Sequence, residues 1–129
     1  KTDGTLWSCG DNSDGQLGDG TITDRWNPVL VMIGIQSMAT GYLHSLILKT
    51  DGTLWACGKN SYGQLGDGTT TRRLKPVKVM SGVKSMAAGD NHNLILKTDG
   101  TLWAYGDNSK GQFGNGTTTN LLTPVQINF

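Results

Sequence analysis

The sequence contains no apolar run approaching the roughly 20 residues that cross a bilayer, and no signal-like hydrophobic segment. A transmembrane helix is excluded, and a soluble chain is expected. It also lacks an excess of either charge: eleven basic residues face ten acidic ones, a formal net charge of +1. No strong overall field therefore draws it to nucleic acid or an anionic membrane, and nucleic-acid binding is not expected. Cysteine is nearly absent, with Cys9 and Cys57 alone and no CxxC pair, so a thiolate metal site has no support. Large side chains are few as well. Hydrophobic residues make up 36% of a chain that carries 19 glycines, a composition suited to short strands joined by tight loops.

What the sequence has instead is a repeat. KTDGTLW stands at Lys1, Lys49 and Lys97, GQxGxG at Gly15, Gly63 and Gly111, and Pro-Val at Pro28, Pro76 and Pro124. The copies stand 48 residues apart, and a fixed period of this size marks a supersecondary unit stacked on copies of itself, because no single copy buries its own apolar faces. Lys1 falls in the middle of a unit, so the 129 residues are expected to be an internal piece of something longer.

Within one unit the pattern predicts four strands. TLWSC at Thr5, TLWAC at Thr53 and TLWAY at Thr101 follow Asp-Gly turn signals, as a strand follows a hairpin. HSLILK at His44 and HNLILK at His92 precede those turns, and their unbroken Leu-Ile-Leu predicts strands covered on both faces. Pro28, Pro76 and Pro124 are each expected to open an edge strand, where a missing N–H is tolerated at the first residue. IQSMA at Ile35 and VKSMAA at Val83 supply the fourth. Their Ser37, Ala39, Ser85 and Ala87 share one period-2 face, as a strand crowded near an axis requires. Long Gly, Asn and Asp-rich loops run over 11–27, 59–75 and 107–123, with Leu17, Leu65 and Phe113 as single apolar anchors. Cys9 and Cys57 occupy one repeat position and are expected to be small buried hydrophobes, too far apart for a disulfide.

The fold class expected is thus all-β, a β-propeller segment of four-stranded antiparallel blades. A single segment spans 1–129, with a partial blade of two outer strands over 1–34 and blades over 35–82 and 83–129. The residues Ala87 to Leu96, Asp99 to Gly106, Asn108 to Gly116 and Pro124 to Ile127, with their upstream copies, resemble the repeats of the regulator of chromosome condensation family. The resemblance covers essentially the whole chain. Cys9, Cys57 and Tyr105 stand where that family often has Trp, and Phe113 stands for Leu. It implies a seven-bladed propeller for complete members, and functions that include nucleotide exchange on a small GTPase with chromatin docking, enzyme inhibition by bacterial secreted propellers, and scaffolding. None of these transfers residue by residue, because the repeated motif does not hold the contacts.

Catalytic and metal readings fare poorly. His44 and His92 hold one repeat position with no Ser-His-Asp or Cys-His set beside them, and each is expected to bond a backbone carbonyl and fix a turn. DNSDGQLGDG at Asp11 offers carboxylates in the manner of a calcium loop, yet Gln16 and Ile22 stand where Gly and a bidentate Glu belong. The glycines spell GxxGxG rather than a phosphate-binding loop, so Asn12 and Gln16 are expected to bond loop backbone. Asn115-Gly-Thr117 is a formal glycosylation sequon. The first two units differ chiefly in loops: Asp14 against Tyr62, Asp24 against Arg72, Trp26 against Leu74. Aromatic residues beside arginine are the chemistry of interface anchors, so Arg25, Trp26, Tyr42, Tyr62, Arg72 and Arg73 are the candidate partner contacts. A non-enzymatic, cofactor-free protein-binding scaffold with no small-molecule ligand is expected; the alternatives, from the family resemblance, are an exchange-factor segment acting on a small GTPase or a propeller like the bacterial secreted enzyme inhibitors.

Overall fold

The computed structural model describes all 129 residues, Lys1–Phe129. It holds ten strands and no helix: β1 (Leu6–Gly10), β2 (Arg25–Met32), β3 (Ile35–Thr40), β4 (His44–Lys49), β5 (Leu54–Gly58), β6 (Arg73–Met80), β7 (Val83–Ala88), β8 (His92–Lys97), β9 (Leu102–Gly106) and β10 (Leu121–Ile127). All pairings are antiparallel. β1 and β2 form one sheet, β3-β4-β5-β6 a second, and β7-β8-β9-β10 a third. Each four-stranded sheet is a meander in chain order, which is a propeller blade.

The β4–β5 hairpin shows why the Asp-Gly signal works. Gly52 turns at φ 81 while its N–H donates to the Lys49 carbonyl at 3.0 Å. Asp51 Oδ1 accepts from the Thr53 N–H at 2.9 Å and its hydroxyl at 2.6 Å, closing an Asx turn. Thr53 Oγ1 then accepts from Trp55 Nε1 at 2.9 Å, and Lys49 Nζ lies 5.6 Å from the Trp55 ring centre.

The core lies between the two full blades. Leu46, Leu48, Leu54, Leu65, Ile95 and Tyr105 are all fully buried and pack into one cluster with Val83. Burying each Leu or Ile contributes about 1.5–3 kcal/mol. Leu17, Leu65 and Phe113 are the buried loop anchors that the repeat predicted.

Three local expectations need correction. The Pro-Val strands begin three residues before their prolines, at Arg25, Arg73 and Leu121, and each proline falls in a register shift of the ladder. A bulge in an edge strand leaves a residue unpaired, so the absent N–H breaks no ladder bond. Cys9 is exposed whereas Cys57 is completely buried. Cys57 lies under the loop of the preceding unit, as the approach of its Sγ to Gly18 shows, and Cys9 has no such cover. Both thiols are free. The small side chains Ser37, Ser85 and Ala87 are exposed rather than crowded, and Ala39 is half-buried.

Candidate protein-binding face

Register decides which residues share an end of the blades. His44 pairs with Gly58 and Gly58 with Arg73, while Gly10 pairs with Arg25. The β3–β4 turn and the long loops 11–24 and 59–72 therefore open at the same end, opposite the Asp-Gly hairpins. Bonds between units tie these loops together. Gly20 N–H donates to the Leu74 carbonyl at 2.9 Å, Tyr42 N–H to the Asp90 carbonyl at 3.1 Å, and Arg72 Nη1 to the Ser13 carbonyl at 3.2 Å.

A buried asparagine organises each long loop. Asn12 Oδ1 accepts from the Leu17 N–H at 3.1 Å, and Nδ2 donates to the carbonyls of Thr21 and Thr23 and to Asp19 Oδ1. Asn60 repeats the set on Leu65, Thr69, Thr71 and Asp67. Asn108 repeats much of it on Phe113 and Thr117. A short polar side chain thereby satisfies loop groups that a helix or ladder would otherwise pair. Gln16 Oε1 accepts from the Asp14 N–H at 3.0 Å, as its place in the loop predicted.

The carboxylates of the calcium-like stretch are engaged by their own loop. Asp19 accepts from Thr21 and pairs with Arg25 Nε at 2.6 Å. Burial alone would raise its pKa, but the Thr21 and Arg25 bonds outweigh it and bring it down to about 2. Asp11 accepts from Ser13 and Gln16. Nowhere do three His, Cys, Asp or Glu side chains come together as metal ligands.

The histidines sit in the seam between blades. His44 is 1% exposed, and its Nε2 stands 2.8 Å from Asn93 Oδ1. Asn93 Nδ2 donates to the Gln64 carbonyl at 2.6 Å, so Oδ1 is free to accept and His44 carries its proton on Nε2. The partner is thus a side-chain amide of the next blade, not the backbone carbonyl expected. At the position of Asn93 the preceding unit has Ser45, whose hydroxyl donates to the Gln16 carbonyl at 2.7 Å as Asn93 Nδ2 does to the Gln64 carbonyl, so the extra reach of the amide is what meets His44. His92 meets the Phe113 ring edge-on at 6.4 Å.

The structure gathers all six candidate contacts at the loop end but gives them different surroundings. Tyr42 is 72% exposed in the β3–β4 turn, and Tyr62 is exposed with Lys59 Nζ 5.6 Å from its ring centre. Arg72 is exposed and reaches the preceding loop. Arg25 and Arg73 are partly buried, each with its guanidinium engaged by Asp19 or Asp67, at 2.6 and 2.8 Å. Trp26, 94% exposed, lies on the flank of β2; its copies Leu74 and Leu122 each touch the preceding unit's loop, Leu74 partly buried and Leu122 still 38% exposed. Sequence reasoning missed a cavity of about 430 Å³ between β1 and the β3–β4 hairpin, lined by Trp7, Cys9, Met38, Tyr42 and His44 among others. No linear motif marks it, because it is made by residues from separate strands.

Three solved structures share this architecture. Prp20p from Saccharomyces cerevisiae superposes with a TM-score of 0.88 at 25% identity, over 97% of this chain and 34% of that one. Yeast RCC1 (Prp20) bound to Kap60 gives 0.86 at 26% identity, over 97% and 33%. Human WBSCR16 gives 0.82 at 25% identity, over 95% and 34%. The chain spans about a third of the length of these structures. No curated protein sequence matches it. A sequence profile of the Regulator of chromosome condensation (RCC1) repeat matches residues 3–48, 51–96 and 99–129, and a second profile of the same description matches 35–64 and 83–112. With both profiles falling in step on the 48-residue period and the blades formed as that period demands, the chain belongs to the regulator of chromosome condensation repeat family.

Proposed function

We propose that the chain is a non-enzymatic protein-binding scaffold whose contact surface is the loop end of the blades. The observation that carries this reading is the exposure of Tyr42, Tyr62 and Arg72 at one end, on loops that vary between units otherwise alike. Loops displayed by a rigid frame are where recognition residues collect, and Tyr and Arg are its common anchors. Proteins of this architecture support it: Prp20p was described with its binding properties to Gsp1p and histones, and yeast RCC1 in complex with Kap60. Arg25 and Arg73 act within this reading as braces of their loops. His44, buried and bonded to Asn93, offers no base to a substrate, which favours binding over catalysis.

The test compares capture of interacting proteins by the chain, by a Tyr42→Ala/Tyr62→Ala/Arg72→Ala variant, and by Lys78→Ala, an exposed site paired with Trp55 away from the loops. Capture lost in the triple variant and kept in Lys78→Ala supports the scaffold. Equal capture by all three, or none by the unaltered chain, overturns it. Nucleotide release from small GTPases is measured on the same samples, and acceleration there would replace this reading with that of an exchange-factor segment.

A further inference from the structure

Between the two complete blades, a line of side chains runs through the loop end of the seam. His44 Nε2 on β4 stands 2.8 Å from Asn93 Oδ1 on β8, and Asn93 Nδ2 donates to the Gln64 carbonyl at 2.6 Å. Gln64 carries the line onward: its Nε2 donates to Asn91 Oδ1 at 3.2 Å, and its Oε1 accepts the Tyr62 N–H at 2.9 Å. At the near end Tyr42 lies two residues before His44, and its N–H donates to the Asp90 carbonyl of the next blade at 3.1 Å. Both exposed tyrosines of the face are therefore tied to one buried imidazole.

That imidazole has room for one proton. Its Nε2–H is given to Asn93 Oδ1, and Nδ1 is buried with no partner. The ring is wedged between turns: a Cβ on Gly41 would collide with its Cε1 and Nδ1, and would stand 2.6 Å from the Gly89 carbonyl oxygen of the neighbouring blade. An imidazolium donates from both nitrogens, so a second proton puts on Nδ1 an N–H that the closed seam cannot bond. The charged and titratable groups around the ring do not relieve it. His92 on β8 opposes the charge. Cys9, Asp11 and Tyr42 share the cavity that His44 borders, but the Asp11 carboxylate is engaged by Ser13 and Gln16. Asp90 meets the seam through its carbonyl, and Lys59, beside the Gly58 that pairs with His44, through its N–H to the Leu43 carbonyl at 2.9 Å.

We infer that His44 is an acid-sensitive latch: taking up its second proton parts the seam at the loop end and frees the segments carrying Tyr42 and Tyr62, while both blades stay folded. With the ring expelled, Asn93 Oδ1 loses its donor and the Tyr42 bond to Asp90 loses the wedge beside it. A ring freed from the seam binds protons as an ordinary histidine does. Each pH unit below 6.5 therefore favours opening by about tenfold, until the closed seam itself takes the proton. That opening changes partner contact rests on the reading of this face as a contact surface; the latch itself is read without a partner, so the two fail separately.

The test is backbone amide exchange followed by NMR at about pH 7.5 and about pH 5, compared as protection factors so that the intrinsic pH dependence of exchange drops out. The expected result is a loss of protection of about tenfold or more at the Tyr42 and Tyr62 amides. The amides of Leu48 and Ile95, completely buried in β4 and β8, are expected to keep theirs. In His44→Gln, whose side chain can still donate to Asn93 but takes no proton, both tyrosine amides are expected to stay protected at either pH. Tyrosine amides that do not respond in the unaltered chain overturn the proposal, and so does loss of protection at Leu48 and Ile95 in step with them, which is global unfolding. The same loss in His44→Gln overturns it as well. Where that variant does not fold, the His44 ring C–H resonance of the unaltered chain decides: it must titrate with the amides, and a ring that stays still while they respond assigns the opening to another group.

Discussion

His44 Nε2 and Asn93 Oδ1 meet 2.8 Å apart across the seam of two blades, and the other ring nitrogen of His44 is buried with no partner. The ring is thus held neutral in a dry place. Burial lowers its pKa below 6.5, the Asn93 bond opposes that shift, and His92 adds to it. Below pH 6.5 the unfolded chain therefore binds the proton more readily than the folded one. Stability is complete above that pH and declines as pH falls through it. A series of urea melts from pH 7.5 to about 5 is expected to show this loss, and a His44→Gln variant is expected to lack it over the same window. The aspartates act at lower pH: Asp19, brought down to about 2, loses its contribution only below its ordinary value of 3.8.

Replacing Asn93 by Ser, the residue its copy carries at Ser45, isolates the seam. Serine can keep the bond to the Gln64 carbonyl but leaves His44 unpaired. A cost of about 1–3 kcal/mol is expected from denaturant unfolding. In a His44→Gln/Asn93→Ser double variant the two losses should fall short of their sum, because they remove one bond.

Tyr105 stands where the other units have Cys9 and Cys57, and its hydroxyl is fully buried without a hydrogen-bond partner. Tyr105→Phe removes the orphaned group and keeps the ring that fills the core. Stability unchanged, or raised by about 1 kcal/mol, is expected in the same melts. Tyr105→Cys, which imitates the other copies, should instead lose about 2–5 kcal/mol through the void it opens.

Two glycines separate backbone strain from crowding. Gly100 has φ 85 and open space around its Cβ position, whereas Gly66 has φ 73 and the Tyr105 ring 2.8 Å away. Gly100→Ala is expected to cost about 1–2 kcal/mol from the left-handed backbone alone. Gly66→Ala adds overpacking of about 1–3 kcal/mol, and thermal melts of the pair read the difference.

Asn60 donates to two carbonyls and accepts one N–H while 1% exposed, so Asn60→Ala strands three backbone groups at once. A loss of about 2–4 kcal/mol is expected. Limited proteolysis should then cut within 59–72 first, because that loop loses its centre.

The blades were legible because their signals are local and repeat. Asp51-Gly52 names a turn by its own chemistry, and Leu46-Ile47-Leu48 names a strand buried on both faces. Positions whose environment comes from another unit were not legible. Cys9 and Cys57 have like neighbours in sequence, yet one is exposed and one is buried, because cover comes from a loop some forty residues away. The His44 partner was hidden for the same reason: the Ser45 to Asn93 difference looks minor until the two blades are side by side. At the candidate face, sequence variation singled out loop positions without showing their surroundings. It could not distinguish Arg72, which is exposed, from Arg73, whose guanidinium is engaged by Asp67.

The lapping of the first two glycine-rich loops onto the outer strands that follow them makes stability a property of joints more than of single units. Such an array unravels like tiles lifted from an unprotected course, beginning at whichever margin lacks a neighbour. Inserting or excising a whole 48-residue period leaves every remaining overlap with a compatible mate, which allows repeats of this kind to lengthen or shorten in whole steps without redesign.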